Sequence, residues 1–467
     1  MAHRTIKSGY TKLVDRLNRF PQGATPSELL YKILKILFSK KEAELLSVIP
    51  IKPFTAGTAA RIWKMNPNKA RKVLDELAGR AILVDVEQNG QAVYSLPPPM
   101  AGFIEFSLMR VRGDVDQKVL SELYYQYINV EEDFIRELFL IGETQLGQVF
   151  VQEPVLSNEN ALQVLDYERA SEVIKTASHI GVSICYCRHK MTHVDCACNA
   201  PMDICMTFNF SAESLTKHGF ARQAQIAECL ELLDKACEHN LVQFGENVKE
   251  QVNFICNCCG CCCEGMTVAR RFGMLHPVHT TNFIPHLKDD DCTGCGKCVN
   301  VCPVEAMTLV SANNPHHLQK RKSKINNDIC LGCGVCVRVC PTGSLLLVSR
   351  PERVLTPLNT IHRATIMAIE RGKLQHFIID NQVLWSHRAL AAVLGIILRL
   401  PPIKQALVSN QIKSRFLEFM FSHFKLQDYF MRAGTKSTPI QATEKKLSSI
   451  LSQNITEERP IRYDICR

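Results

Sequence analysis

Several motifs that mark common enzyme classes are missing from this chain of 467 residues. No glycine-rich dinucleotide fingerprint follows a predicted strand, and no phosphate-binding P-loop is present. A nucleophile elbow is also missing. These absences argue against a flavin, nicotinamide or nucleotide site within the chain itself.

Long apolar runs are missing too. No apolar signal-peptide core follows Met1, and the first twenty residues are basic. The longest apolar stretch, 389–398, is too short for a bilayer span, which needs about 20 residues. We predict a buried helix there, with a helix lying on a membrane surface as the alternative.

Cysteine, by contrast, is abundant, with 22 residues in the chain. Eight of them occur in two copies of the spacing Cys-x2-Cys-x2-Cys-x3-Cys-Pro, at 292–303 and at 330–341. This spacing is typical of [4Fe–4S] clusters, because the two-residue spacers let three sulfurs wrap one cube. Structural zinc sites also use Cys-x2-Cys pairs, but rarely in this four-cysteine run. The glycines between the cysteines provide the tight turns that such a loop needs.

The fourth cysteine of each run is expected to bind the cluster formed by the other run. Two crossed ligand sets are therefore predicted. Cluster I is assigned to Cys292, Cys295, Cys298 and Cys340. Cluster II is assigned to Cys330, Cys333, Cys336 and Cys302.

Over 285–350 these residues resemble the two-cluster bacterial-type ferredoxin domain. The resemblance implies a ferredoxin-like fold, two [4Fe–4S] clusters and electron transfer. Cubane signatures indicate a reducing environment in which thiolates remain available for metal, so a cytoplasmic location is predicted.

Thirteen further cysteines lie between residues 185 and 263. A predicted apolar strand at 180–184 leads directly into Cys185, where the sequence reads CYCRH; the segment CNAPMDICMTF follows from Cys198, and ICNCCGCCC from Ile255. Together these motifs resemble a group of ferredoxin-domain proteins of anaerobic bacteria and archaea that carry similar elements ahead of the two-cluster domain. This resemblance, over 165–345, implies a fold and cofactors but no particular reaction.

Six cysteines crowd into residues 256–263, and adjacent residues of an extended segment point to opposite faces. Some of these thiols should therefore be reachable by a metal, and we predict a third metal centre with iron favoured over zinc. Its candidate ligands are Cys185, Cys187, Cys198, Cys205, Cys256, Cys258, Cys259 and Cys261. A zinc site, a redox-active dithiol and unligated thiols remain alternatives.

Four residues near these cysteines have separate predictions. Arg188 and His189 are expected to donate hydrogen bonds to cluster sulfurs or to hold an anionic ligand. Cys229 and Cys237 are spaced eight apart on a predicted helix and are expected to be small buried hydrophobes.

The first hundred residues are predicted to form helices followed by a hairpin. Thr55 and Asn66 are suited to cap two helices, the second with Pro67 in its first turn. Asn89 and Gly90 predict a tight hairpin turn. This order of elements resembles a winged helix-turn-helix.

DNA contact through this region is a weaker prediction. The candidate recognition helix carries basic and acidic side chains together: Lys69, Arg71, Lys72 and Arg80 with Asp75 and Glu76. The net charge of +9 suits acidic proteins, nucleic acid and membrane headgroups equally. A docking role is therefore favoured over DNA binding.

The predicted fold class is α+β. A winged-helix-like domain occupies 1–100, and a helical, then cysteine-rich α/β region occupies 101–284. The dicluster ferredoxin domain occupies 285–350, a helical extension 351–432, and a polar tail 433–467. Between the two cysteine runs we expect an exposed loop whose basic tip, 320–322, suits an acidic redox partner.

Three functions fit these observations. The leading hypothesis is an iron–sulfur electron carrier, or an electron-transfer subunit, that exchanges electrons with a redox partner protein. The second is an iron–sulfur oxidoreductase with its active site in the cysteine-rich region. The third is a redox-sensing regulator whose winged helix binds DNA.

Overall fold

The computed structural model describes residues 8–157, 161, 164–272, 280–288, 291–313, 320–351, 354, 356–379 and 385–399. Residues 400–432 of the predicted helical extension and the predicted tail at 433–467 lie outside these residues. Helices and strands both contribute to the described part, so the α+β class is confirmed.

The N-terminal part contains five helices and a small sheet among its described residues. The helices are α1 Gly9–Leu17, α2 Glu28–Leu37, α3 Lys40–Leu46, α4 Ala56–Trp63 and α5 Pro67–Gly79. The strands β1 Phe54–Thr55, β2 Val84–Gln88 and β3 Gln91–Ser95 form an antiparallel sheet in the order β1-β3-β2.

The helix caps and the hairpin turn predicted for this part are confirmed. The side chains of Thr55 and Asn66 accept hydrogen bonds from the amides of Thr58 and Asn68 and so cap α4 and α5. The hairpin turn at residues 89–90 has positive φ at both positions, which suits an Asn-Gly pair. The winged-helix resemblance itself stays a prediction.

The cysteine-rich part is built on a six-stranded antiparallel sheet in the order β4-β8-β9-β6-β5-β7. Its strands are β4 Gly147–Val149, β5 Ile180–Ile184, β6 Asp203–Phe208, β7 Arg222–Gln223, β8 Val242–Glu246 and β9 Phe254–Cys258. Its helices are α6 Gln117–Tyr125, α7 Asp133–Leu140, α8 Ala170–Thr176, α9 Tyr186–His193, α10 Asn209–Lys217, α11 Ile226–Glu238 and α12 Glu264–Phe272. Because β5, β6 and β9 are neighbours, the cysteines that they carry or precede come together at one edge of the fold.

The hairpin of the N-terminal part packs onto helix α10. Asp85 of β2 is buried and accepts hydrogen bonds from Ser214 Oγ at 2.9 Å and His218 Nε2 at 2.8 Å. Lys217 Nζ lies 2.6 Å from the other carboxylate oxygen. The N-terminal and cysteine-rich parts therefore share one apolar core, which includes Leu74 and Tyr186.

The ferredoxin-type part repeats a strand–helix–strand plan. Its strands are β10 Phe283–Leu287, β11 Met307–Ser311, β12 Arg321–Ile325 and β13 Leu345–Ser349, and its helices are α13 Lys297–Val301 and α14 Val335–Arg338. Strand β10 pairs with β13, and β11 pairs with β12, both antiparallel. The prediction of an exposed loop between the cysteine runs is wrong at Arg321 and Lys322, which lie in β12; residues 314–319 lie outside the described residues.

The C-terminal helices are α15 Thr360–Glu370, α16 Leu374–Ile378 and α17 Trp385–Arg399. The prediction of a buried helix at 389–398 is wrong. Leu390, Val393 and Ile396 are 58%, 54% and 68% exposed, whereas Ala391 is buried. Hydropathy favoured burial, but this helix buries Ala391 and Gly395, packs Leu398 against a small apolar cluster, and leaves several of its larger side chains exposed. Among the described helices, none has the length and apolar character needed to cross a bilayer.

The Asp85 contacts predict a loss of stability when the carboxylate is neutralised. Burial opposes ionisation, but hydrogen bonds with His218, Lys217 and Ser214 outweigh it and lower the pKa of Asp85 to about 2. We expect Asp85→Asn to reduce the free energy of unfolding by about 1–3 kcal/mol at pH 7, measured from urea midpoints. Since the folded pKa lies below the ordinary 3.8, this stabilisation is present above about pH 4 and is lost toward pH 2.

The matched control for this measurement is Glu76→Gln, which neutralises an exposed carboxylate on α5. We expect its urea midpoint to equal that of the unmodified chain. Equal midpoints for both variants would mean that the Asp85 contacts do not hold the hairpin on α10.

Candidate metal centres

Each cysteine run of the ferredoxin-type part follows a tight loop that leads into a short helix. Gly294 and Gly332 have φ values of +68° and +70°. A β-carbon on Gly294 would lie 2.4 Å from the carbonyl oxygen of Arg321, and one on Gly332 would lie 2.0 Å from that of Phe283. Both glycines are therefore required by backbone conformation and by close packing.

Most of the eight thiols of these runs are shielded from solvent. Cys295 is exposed, Cys302 and Cys340 are half-buried, and the remaining five are buried. Cys298 Sγ lies 2.9 Å from Ser323 Oγ, and Cys340 Sγ lies 3.3 Å from Ser344 Oγ, so hydroxyl groups surround these sulfurs.

The thiol of Cys302 belongs to the first run but lies beside the second. Burial, and then the charge of Cys302, raise the pKa values of Cys330 and Cys333, the latter to about 12. Cys336 also interacts electrostatically with Cys302. This is the neighbourhood that a crossed ligand set for cluster II needs.

Six cysteines of the middle part form a closed ring of hydrogen-bonded thiols, here called the thiol ring. Its members are, in order around the ring, Cys185, Cys187, Cys263, Cys258, Cys256 and Cys205. They come from the end of β5, the start of α9, the strands β6 and β9, and the residue before α12. Elements far apart in sequence thus direct six sulfurs to one place.

The thiol ring lines a cavity of about 60 Å³. A single water needs about 10–15 Å³ measured in the same way, so the space suits a group of several atoms. Apolar side chains close the rest of the wall, among them Phe139, Phe244 and Phe254.

A buried cation also lines this cavity. Arg188 is fully buried, and its Nη1 donates to the carbonyl oxygen of Asn257 at 3.1 Å and lies 3.9 Å from Cys259 Sγ. Within the part of the chain that the structure describes, its Nε and Nη2 have no hydrogen-bond partner. Burial disfavours the charged form, but the negative charges of Cys185, Cys205 and Cys259 outweigh burial and raise the pKa of Arg188. The site therefore holds a permanent positive charge and two unused donors.

Two carboxyl groups complete the wall of the cavity. Burial, and then the charges of Cys256, Cys185 and Cys263, raise the pKa of Glu105 well above its ordinary value, which favours the neutral form of this side chain. Glu264 forms a buried ion pair with Lys190. A proton source therefore lies beside the thiol ring.

A second group of thiols, here called the tetrathiol site, lies next to the ring. Its four members are Cys198, Cys259, Cys261 and Cys262. Their sulfurs all lie within 4.8 Å of one another, with 3.6 Å between Cys198 and Cys259 and 3.7 Å between Cys261 and Cys262. Cys196 is exposed and belongs to neither group.

The eight ligands predicted for one third centre are therefore divided between two groups. Five of them lie in the thiol ring: Cys185, Cys187, Cys205, Cys256 and Cys258. The other three lie in the tetrathiol site: Cys198, Cys259 and Cys261. Cys262 and Cys263 were missing from the prediction, although each completes one of the groups.

The four residues with separate predictions, Arg188, His189, Cys229 and Cys237, have different outcomes. Arg188 lines the cavity, whereas His189 does not; its Nδ1 lies 2.7 Å from the carbonyl oxygen of Leu108, facing away from the ring. Cys229 is a fully buried core residue, as predicted. Cys237 is half-buried and accepts a hydrogen bond from Gln243.

The turn that carries the tetrathiol site touches the ferredoxin-type part directly. A β-carbon on Gly260 would lie 2.6 Å from the carbonyl oxygen of Pro303, the residue after Cys302. The amide of Gln152 also donates to the carbonyl oxygen of Cys333 at 3.0 Å. Cys258, Cys263, Cys330 and Cys333 belong to one apolar core.

Comparison with known proteins identifies one part of the chain. Residues 291–344 match the family described as a 4Fe-4S dicluster domain. No curated protein matches the chain. The prediction of an iron–sulfur domain of the ferredoxin type is therefore confirmed for this segment, and an iron–sulfur electron-transfer role is supported by it and by the clustered cysteines.

Proposed function

We propose that this chain transfers electrons through two [4Fe–4S] clusters in its ferredoxin-type part and a third iron–sulfur centre in the thiol ring. The two clusters have crossed ligands. Cluster I is bound by Cys292, Cys295, Cys298 and Cys340, and cluster II by Cys330, Cys333, Cys336 and Cys302. The position of Cys302 beside the second run is the observation that supports the crossing.

The thiol ring fits an iron–sulfur centre for three reasons. Its donors are all sulfur, which iron–sulfur clusters prefer. The cavity has room for several atoms. The unpartnered Nε and Nη2 of Arg188 are suited to donate hydrogen bonds to the sulfides of an anionic cluster, which tunes cluster potential. When bound, such a centre would supply one-electron chemistry.

The electron route runs from cluster I through cluster II to the ring. Support comes from the contact between Gly260 and Pro303, which brings the cysteine-rich turn against the loop that carries Cys302. The shared apolar core excludes water between these elements. Cluster II is therefore the ferredoxin cluster that would exchange electrons with the third centre.

A redox partner protein would approach cluster I. Cys295 is the exposed ligand of the first run; the exposed Lys297 lies two residues away in sequence, and the exposed Arg321 lies against Gly294. Such a surface favours a partner with an acidic face, through electrostatic steering. We place this exchange in the cytoplasm, where thiolates stay reduced.

An oxidoreductase active site at the ring remains the alternative function. The observation that favours it is Glu105, whose neutral carboxyl group places a proton beside the ring. Reduced protein offered either a protein acceptor or small-molecule acceptors separates the two functions. Oxidation by protein acceptors alone would exclude the enzyme.

DNA binding is not part of the proposal. The hairpin packs on α10 through Asp85, and two cations of the candidate recognition helix are engaged by acidic residues. Arg71 pairs with Asp75, and Arg80, expected to be exposed, is half-buried against Glu42.

The crossed ligand sets predict which alanine variants share a phenotype. Cys340→Ala and Cys292→Ala should both lose cluster I and leave the same electron paramagnetic resonance (EPR) signal in the reduced protein. Cys302→Ala and Cys330→Ala should leave the other signal. Cys196→Ala, at an exposed thiol outside every group, should keep both signals. A Cys340→Ala spectrum that matches Cys330→Ala would show that the ligand sets are not crossed.

The third centre predicts more iron than two cubanes contain. Protein purified without oxygen should hold more than about eight irons per chain and show an additional EPR signal. Cys256→Ala should remove several irons and that signal, while the two ferredoxin signals persist. Cys237→Ala, which changes a half-buried thiol outside the ring, should leave the iron content unchanged. About eight irons in both the unmodified chain and Cys256→Ala would mean that the ring holds no iron cluster.

A further inference from the structure

We propose that the tetrathiol site binds a single tetrahedrally coordinated metal ion, zinc or iron, as a centre separate from the thiol ring. The donor set is four cysteine sulfurs, the set found in structural zinc sites and in single-iron sites. The proposal concerns Cys198, Cys259, Cys261 and Cys262 alone. It holds whether or not the ring carries a cluster.

The distances between the sulfurs decide the kind of metal site. A metal–sulfur bond of about 2.3 Å places tetrahedral sulfurs about 3.8 Å apart. Cys198 and Cys259 are 3.6 Å apart, and Cys261 and Cys262 are 3.7 Å apart. A cubane spreads its four thiolates more widely, because each projects outward from a different iron. The geometry therefore fits one ion and is too small for a cluster.

The sulfurs of the thiol ring are spread around a space, unlike the compact sulfurs of the tetrathiol site. The six ring sulfurs surround a cavity, whereas no three of them belong to a compact group like that of the tetrathiol site within the described residues. Arg188 lines the cavity and also reaches Cys259 of the tetrathiol site. Cys259 itself also lines the cavity, so the two sulfur groups adjoin at this residue, and the one buried cation lies beside both.

The metal would join two segments that have little regular structure of their own. Cys198 lies in the irregular segment between α9 and β6, and the other three cysteines lie in the turn after β9. A bound ion would therefore fix that turn, including Gly260, against Pro303 of the ferredoxin-type part. Cys261 is exposed, so an ion can enter the site from solvent.

Metal content per chain tests the proposal in the full-length protein. We expect one equivalent of zinc, or one equivalent of iron with the high-spin signal of a single ferric ion, in addition to the cluster iron. Cys262→Ala and Cys261→Ala should each lose that one equivalent. The ferredoxin EPR signals should persist in both variants and show that the protein is folded.

The control is Cys196→Ala, which removes an exposed thiol two residues from Cys198 and should keep the metal. Co²⁺ offered to metal-depleted protein should give the absorption bands of tetrahedral cobalt thiolate, and Cys262→Ala should abolish them. Loss of several irons in Cys262→Ala would overturn the proposal, because these thiols would then belong to the cluster in the ring. Unchanged metal content in Cys262→Ala and Cys261→Ala would also overturn it.

Discussion

The constraint on which the cysteine-rich part depends is the burial of Arg188 among sulfur atoms. A fully buried guanidinium is costly unless negative charge surrounds it. Among the described residues, Arg188 donates to the carbonyl oxygen of Asn257 and the sulfur of Cys259, and its Nε and Nη2 have no partner. The charges of Cys185, Cys205 and Cys259 are the compensation that the site provides. The arrangement of cysteines around this cation follows from that requirement.

The topology of the sheet explains how so many cysteines meet. Strands β5, β6 and β9 are neighbours, with Ser183 opposite Cys205 and Met206 opposite Ile255. Cys185 follows β5 directly, and Cys256 and Cys258 lie two apart on β9, so both face the ring. Asn257, between them, points the other way and donates to the carbonyl oxygen of Ile204 at 2.8 Å. Antiparallel pairing thus assembles the ring from short segments.

Local features of this fold are predictable from sequence, whereas the grouping of the cysteines is not. The caps at Thr55 and Asn66 and the strand at Ile180–Ile184 depend on neighbouring residues, and each is found where it was expected. The contact between Cys198 and Cys259 joins positions 61 residues apart, which no spacing rule reveals. Cys262 and Cys263 lie after the end of β9, where strand alternation makes no prediction, and only the tertiary fold shows that they belong to different groups. The prediction of a buried helix at 389–398 failed for a similar reason, because hydropathy does not show which side chains a neighbouring element covers.

The short segment 256–263 contacts three parts of the structure: the thiol ring, the irregular segment around Cys198, and Pro303 of the ferredoxin-type part. Cys256, Cys258 and Cys263 face the ring, while the thiols of the tetrathiol site face the irregular segment around Cys198. Gly260, between these thiols, has no side chain because Pro303 occupies the space. An ion bound by the tetrathiol site would therefore also fix the position of the ring ligands relative to cluster II. Electron transfer depends steeply on such positions, so the same residues that hold this single ion would also set the length of the redox path.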